Sequence, residues 1–334
     1  MRWLMAPFAA PYALVTILRN KWYDRGAPAV WSAGVPVISV GNITAGGTGK
    51  TPMVIEIVRR LIAIGRRPAI LTRGYGARPG EPADEVREFA EALPATPVVV
   101  NPDRVSGAQI AERDHRADCL VLDDGFQHRR LARDLDIVLI DATAPWGGGW
   151  VFPAGRLREP LHGLERADAF VITRCNQADA QRIEEITARL AAYADVPILR
   201  ADIESVGLRM CGGDTEELES LGYSAVLPVC GIGNPATFLR LVDGLAGRVC
   251  PPMRFADHHR YRPRDLQAIQ RQASAYGADI VLTTRKDWVK LGPLWDASAA
   301  DNAVRLARLD VRTVLQDDQG DLDAAIGRAV GVDE

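Results

Sequence analysis

The chain has 334 residues, enough for two domains, and its 47% apolar and 25% charged content is that of an ordinary globular protein. A net charge of −3 excludes a broadly basic surface for nucleic acid. Five scattered cysteines, odd in number and without a C-x-x-C, argue against a disulfide framework or a zinc site and fit a reducing compartment.

Residues 4–18, LMAPFAAPYALVTIL, carry no charge, and Arg2, Arg19, Lys21 and Arg25 flank them. The run is shorter than the roughly 20 residues that span a bilayer. Pro7 and Pro11 are expected to break an interior helix, although Pro7 suits a first turn. Three readings stay open. The preferred one lays residues 1–30 in the membrane interface, apolar side in lipid and basic residues near phosphates. The second packs the segment on the protein's own core. The third is a signal sequence cleaved at APA, 27–29; charged residues between the apolar run and Ala27 speak against it.

Apolar runs then alternate with helical patterns. Strands are expected at 35–40, 68–71, 97–100, 120–122, 137–140, 169–172 and 197–199, most of them apolar throughout, as in strands covered on both faces. Helices are expected at 50–64, 106–113 and 180–194. The alternation predicts an α/β fold with a mostly parallel sheet flanked by helices. The glycine- and acid-rich stretch 201–222 reads as a connection. A second alternation follows, with strands at 226–229, 248–251 and 279–283, a helix at 263–276 and a closing helix. The expected division is therefore a core at 31–205, a connection at 206–222 and a smaller α/β domain at 223–334, with the option that the last helix returns to the core.

The first chemical motif is Thr44-Ala45-Gly46-Gly47-Thr48-Gly49-Lys50-Thr51, between a strand and a helix. It matches G-x-x-x-x-G-K-[ST] except that Thr44 takes the place of the first glycine. In such a loop backbone N–H groups cradle phosphates at a helix N-terminus. Lys50 would reach the β- and γ-phosphates and Thr51 would ligate Mg²⁺. The second motif, CLVLDDGFQHRR at 119–130, ends an apolar strand in Asp123-Asp124, where carboxylates would complete the metal shell. These features fit an ATPase, a GTPase or a kinase alike. CNQAD at 175–179 lacks the lysine of a guanine-reading N-K-x-D motif, which disfavours GTP.

Together with LTRGYG (71–76), DRVSGA (103–108), FPAGRLREP (152–160), CGIGNP (230–235), FADHHRY (255–261) and LTTRKDWVKL (282–291), these motifs give the whole chain a resemblance to the tetraacyldisaccharide 4'-kinases of lipid A biosynthesis. That family characteristically has Thr or Ser where Thr44 stands. The resemblance implies a P-loop NTPase-type core and transfer of the ATP γ-phosphate to the 4'-hydroxyl of a lipid-linked glucosamine disaccharide 1-phosphate. It places this at the cytoplasmic face of the inner membrane, with ATP and Mg²⁺ as cofactors; no obligate protein partner is evident in the sequence.

The family's Gly-Asp-Glu-Pro motif reads Ala83-Asp84-Glu85-Val86 here, keeping both acids and losing both flanking residues. The resemblance implies a role for Asp84 at the acceptor hydroxyl and adds Glu85 to the metal ligands Thr51, Asp123 and Asp124. Asp257-His258 matches the family's Asp-His pair; a carboxylate fixes an imidazole's tautomer and raises its basicity. Asp84 in the core and His258 in the second domain are expected to meet across a cleft and activate the sugar hydroxyl. His259, next in sequence, leaves open which ring points inward. Arg73, Arg104, His128, Arg156 and Arg158 are candidates for substrate phosphates, as are Lys286 and Lys290. PWGGGWVFPAG (145–155) is expected near acyl chains. The rival readings are a membrane-associated P-loop ATPase switch and a kinase for a soluble metabolite.

Overall fold

The computed structural model describes residues 2–26, 29–74, 82–298, 304–316 and 320–332. In chain order the elements are α1 (Arg2–Asp24), β1 (Val37–Asn42), α2 (Lys50–Ala63), β2 (Pro68–Thr72), α3 (Asp84–Ala92), β3 (Val98–Val100), α4 (Arg104–His115), β4 (Cys119–Asp123), β5 (Leu135–Asp141), β6 (Ala169–Thr173), α5 (Ala180–Ala191) and β7 (Ile198–Met210). They continue with β8 (Thr215–Glu216), β9 (Ala225–Cys230), α6 (Pro235–Asp243), β10 (Arg248–Val249), β11 (Met253–Arg254), α7 (Pro263–Tyr276), β12 (Ile280–Thr284), α8 (Arg285–Ala297), β13 (Arg305–Gln316) and α9 (Asp321–Val330). Short 3₁₀ turns lie at Leu161–Arg166, Cys175–Gln177 and Leu218–Tyr223.

The chain forms two compact units. The first comprises Met1–Tyr75, Phe89–Ile203 and Thr313–Glu334. Its parallel sheet runs β7-β6-β5-β1-β4-β2-β3. β1, β2, β4, β5 and β6 are buried along their whole length, which is why they read as mostly apolar runs. Ile38, Val40, Met53, Ile57, Leu61, Val121 and Ile137 form its main core, joined by Leu322, Ile326 and Val330 of α9. Register sets the functional end: Val40 lies beside Asp123, and Asp141 beside Thr173. The loop after β1 therefore emerges next to the carboxylates that end β4, at the carboxyl edge where α/β proteins bind ligands.

The second unit comprises Gly76–Glu88 and Glu204–Arg312. Its parallel strands run β10-β9-β12-β13, β11 also pairs with β9, and β8 pairs antiparallel with the outer part of β7. Leu227, Val229, Ile269, Val281, Leu291, Trp295 and Leu306 form one of its cores.

Three expectations fail here. The stretch read as a connection is structured: its first part, to Met210, belongs to β7, whose Ala201, Ile203, Leu208 and Met210 are buried while polar residues between them are more open, and β8 and the turn Leu218–Tyr223 follow. β13 went unread for the same reason, since only its first half is continuously buried. And α1 runs through both Pro7 and Pro11. An interior proline deletes one i→i−4 bond; here the helix is held from the side. Tyr12 Oη donates to the Arg158 carbonyl (2.8 Å), Asn20 Nδ2 to Glu159 (2.6 Å) and Arg19 to the Gln127 carbonyl (2.6 Å). Arg129 donates to the Asn20 carbonyl and to Asp24.

The faces of α1 are inverted relative to an ordinary surface helix. Ala9, Tyr12, Thr16, Asn20 and Tyr23, at helical spacing, are the buried or half-buried side, whereas Phe8, Leu14, Val15, Leu18 and Trp22 are exposed. Phe152, also exposed, packs edge-on against Tyr12. Among the described residues no helix is long and apolar enough to cross a membrane.

Candidate active site

In the first unit the loop after β1 is pinned by its own strand. Asn42, fully buried at the end of β1, donates from Nδ2 to the Thr44 carbonyl (2.7 Å) and to Thr48 Oγ1 (2.8 Å) and accepts from Lys50 Nζ (3.3 Å). Gly46 and Gly49 take positive φ, 120° and 90°, and Gly49 is the residue from which α2 starts. Lys50 and Thr51 thus occupy the first turn of a helix whose N–H groups and dipole favour an anion. Thr44 is buried, forms a backbone bridge with Leu157 and accepts the Asn42 amide at its carbonyl. Arg156 Nε donates to the Ala45 carbonyl (2.8 Å), and its exposed guanidinium lies where a side chain on Gly46 would have to go.

Asp123 and Asp124 follow β4. Asp123 is 2% exposed and accepts from Thr72 Oγ1 (3.3 Å). Asp124 has left-handed backbone, φ 56°, which turns its carboxylate to Lys50 (3.3 Å) and Arg158 (2.7 Å). Burial opposes ionisation there, but Lys50 and Arg158 hold the carboxyl down at about 2. Arg158 therefore serves Asp124, and Arg104, 3% exposed, spends its guanidinium on the carbonyls of Asn101 and Asp123. Arg73 is exposed at the end of β2. His128 is half-buried; burial, with Arg104, Arg133 and Arg73, lowers its imidazole to about 4, so it is neutral near pH 7.

The second unit carries Asp84 and His258 together, so the two meet within one unit. Asp84 opens α3, and its Oδ2 lies 3.4 Å from His258 Nδ1 and 2.9 Å from Lys290 Nζ. Burial alone would raise this carboxyl, yet hydrogen bonds from His258 and Lys290 bring it to about 2. Lys286 Nζ sits 3.2 Å from His258 Nε2 and donates to Asp257 (2.8 Å), which also accepts from the His258 backbone N–H. His258 has φ 59°, a strained value for a non-glycine residue and one that clusters at functional sites. His259 instead pairs with Asp265 (3.2 Å) and stacks with Phe255 and Tyr261, a structural role. Glu85 follows Asp84 in the first turn of α3.

The sequence reading missed Asn42, whose only signal is a polar side chain ending an apolar strand. It also missed Glu159, 3% exposed and bonded to Asn20, Gln127 and Arg166. Lys286 and Lys290 stood out there only as basic residues, without partners.

A parallel sheet with a glycine-rich loop running into a helix, a loop lysine and a carboxylate at the neighbouring strand's end define a P-loop nucleotide-dependent protein. The family model "Tetraacyldisaccharide-1-P 4'-kinase" (LpxK) matches residues 1–330. The tetraacyldisaccharide 4'-kinase of Anaeromyxobacter dehalogenans (strain 2CP-C) is 39% identical over 322 residues, 90% of this chain and 84% of the relative. That of Anaeromyxobacter sp. (strain Fw109-5) is 41% identical over 333 residues, 93% and 88% of the two chains. The crystal structure of "apo" form LpxK from Aquifex aeolicus in complex with ATP superposes with a TM-score of 0.74 at 29% identity, covering 98% of this chain and 99% of that one. The chain belongs to the tetraacyldisaccharide 4'-kinase family.

Proposed function

We propose that this protein transfers the γ-phosphate of ATP to the 4'-hydroxyl of a tetraacylated glucosamine disaccharide 1-phosphate, giving lipid IVA in lipid A biosynthesis. The observation that carries the reading is the family match along residues 1–330 of a chain that keeps Lys50 against Asp124 and Asp84 against His258.

The donor side is the loop. Its N–H groups and the start of α2 take the phosphate oxygens, and Lys50 neutralises charge on the β- and γ-phosphates. Asp124, itself held by Arg158, keeps the Lys50 ammonium in place. The hydroxyl of Thr51 and the carboxylate of Asp123 are oxygen ligands of the kind Mg²⁺ takes. Among the described residues no group of three or more His, Cys, Asp or Glu is arranged as a metal site, so the nucleotide's own phosphates would supply the remaining oxygens. When bound there, Mg²⁺ would offset the negative charge of the phosphates.

The acceptor side is the Asp84–His258 pair. The 4'-hydroxyl oxygen forms its bond to the γ-phosphorus as the bond to the β,γ-bridging oxygen breaks. The hydroxyl proton passes to the pair, and ADP leaves. Lys286 and Lys290 anchor the two side chains. Arg156 and Arg73, both exposed, remain candidates for substrate phosphates. The exposed apolar side of α1, with Arg19, Lys21 and Arg25 at its end, lies in the interface of the inner membrane's cytoplasmic face and brings the protein to its lipid.

Purified protein with radiolabelled ATP and the tetraacyl disaccharide 1-phosphate in detergent micelles is expected to yield a labelled lipid. ATP turnover without any labelled lipid would refute the reading.

A further inference from the structure

Two side chains at the end of β6 have no part in the chemistry above. They directly precede CNQAD, the stretch that lacks a guanine-reading lysine. Thr173 Oγ1 donates to the Thr48 carbonyl at 2.9 Å. Arg174 Nη2 donates to the Gly47 carbonyl at 2.8 Å, and its Nη1 is ion-paired with Asp141 at the end of β5. Arg174 is 7% exposed, Asp141 5% and Thr173 1%. Burying a charge pair costs several kcal/mol per ion before pairing offsets it, so such a pair needs a reason. Arg174 also holds φ 62°, uncommon for a residue with a Cβ.

The two bonds fall on successive peptides of the phosphate loop. In a trans peptide the carbonyl and the following N–H point in opposite directions. Drawing the Gly47 and Thr48 carbonyls toward β6 therefore turns the N–H groups of Thr48 and Gly49 away from it, free to converge on an anion. A glycine-rich loop has many backbone states to lose on binding, and a loop already set in one of them binds more tightly.

We propose that Thr173 and Arg174, with Asp141 holding the guanidinium, are positioning residues that pre-set the peptide planes of the phosphate loop for ATP. This rests on the reading that the loop binds ATP phosphates.

The test is equilibrium titration of the full chain with a fluorescent ATP analogue, together with steady-state kinetics. Thr173→Val removes one bond at constant shape. Arg174→Gln combined with Asp141→Asn removes the other without leaving a buried charge. Each is expected to weaken nucleotide binding about tenfold, the scale of one hydrogen bond, and to raise KM for ATP alike while KM for the lipid stays put. Arg174→Lys, which keeps a donor for the Gly47 carbonyl, is expected to retain more affinity than the double variant. Wild-type protein that binds no ATP would overturn the functional reading and this proposal with it. Wild-type binding with unchanged affinity in both variants would overturn the proposal alone. So would a matching rise in the lipid KM with a lower melting temperature before nucleotide is added, since that marks general support of the fold.

Discussion

His258 Nδ1 lies 3.4 Å from Asp84 Oδ2, and the same carboxylate oxygen takes the Lys290 ammonium at 2.9 Å. The carboxylate is thus ionised under all ordinary conditions, at about 2 against burial, and holds the ring from one side. Removing either member is expected to act on the chemical step. His258→Ala and Asp84→Asn should each lower kcat by about 10²–10⁴-fold, the usual worth of a positioned acid–base group. KM for ATP should stay close to wild type, and equal losses in ATP binding would show that the pair serves the nucleotide instead.

A pH effect follows from His128. Its folded-state value of about 4 lies below the ordinary 6.5, so the folded protein favours the neutral ring. The stabilisation is complete above 6.5 and is lost as pH falls toward 4. Arg104, Arg133 and Arg73 oppose the proton and Asp103 favours it. His128→Asn is therefore expected to lose less stability than wild type between pH 7 and 4 in denaturant melts. Parallel acid profiles would count against this. Asp84 and Asp124 add their own losses only below about 4.

The outward face of α1 is tested by charge. Leu14→Glu and Leu18→Glu replace apolar side chains that are each 56% exposed. Each should weaken binding to vesicles containing anionic lipid by about tenfold or more, the scale of one buried leucine. ATP affinity in detergent should not change; vesicle binding equal to wild type would show that this face does not enter lipid.

Gly41 is the tightest point in β1. A Cβ there would meet Phe126 Cβ at 2.5 Å and its backbone nitrogen at 2.7 Å. Backbone cannot rotate away, so Gly41→Ala should cost about 1–3 kcal/mol in urea unfolding. A neutral result would mean that the turn after Asp124 shifts freely.

The first unit's strands were legible because burial on both faces leaves no polar interruption, as in Cys119–Asp123 and Ala169–Thr173. The phosphate loop was legible because its chemistry is local: a lysine, a hydroxyl and glycines within eight residues. β13 and the outer part of β7 were not, since their partly exposed positions carry arginine and acid and imitate a linker. Asp84 and His258 came from resemblance to a family, because residues 174 positions apart carry no local sign of contact. Asp124's attachment to Arg158 was equally hidden; sequence shows two acids in a row but not that a left-handed backbone separates their directions.

The helix α1 looks detachable, a long helix with much of its apolar surface exposed. Yet Tyr12 grips the carbonyl of Arg158, the residue whose guanidinium clamps Asp124, and Asn20 and Arg19 grip Glu159 and Gln127 beside it. Helix and clamp share one wall. Trimming residues 2–24 would release that wall, so the truncation is expected to loosen the Arg158–Asp124–Lys50 chain that backs the phosphate loop.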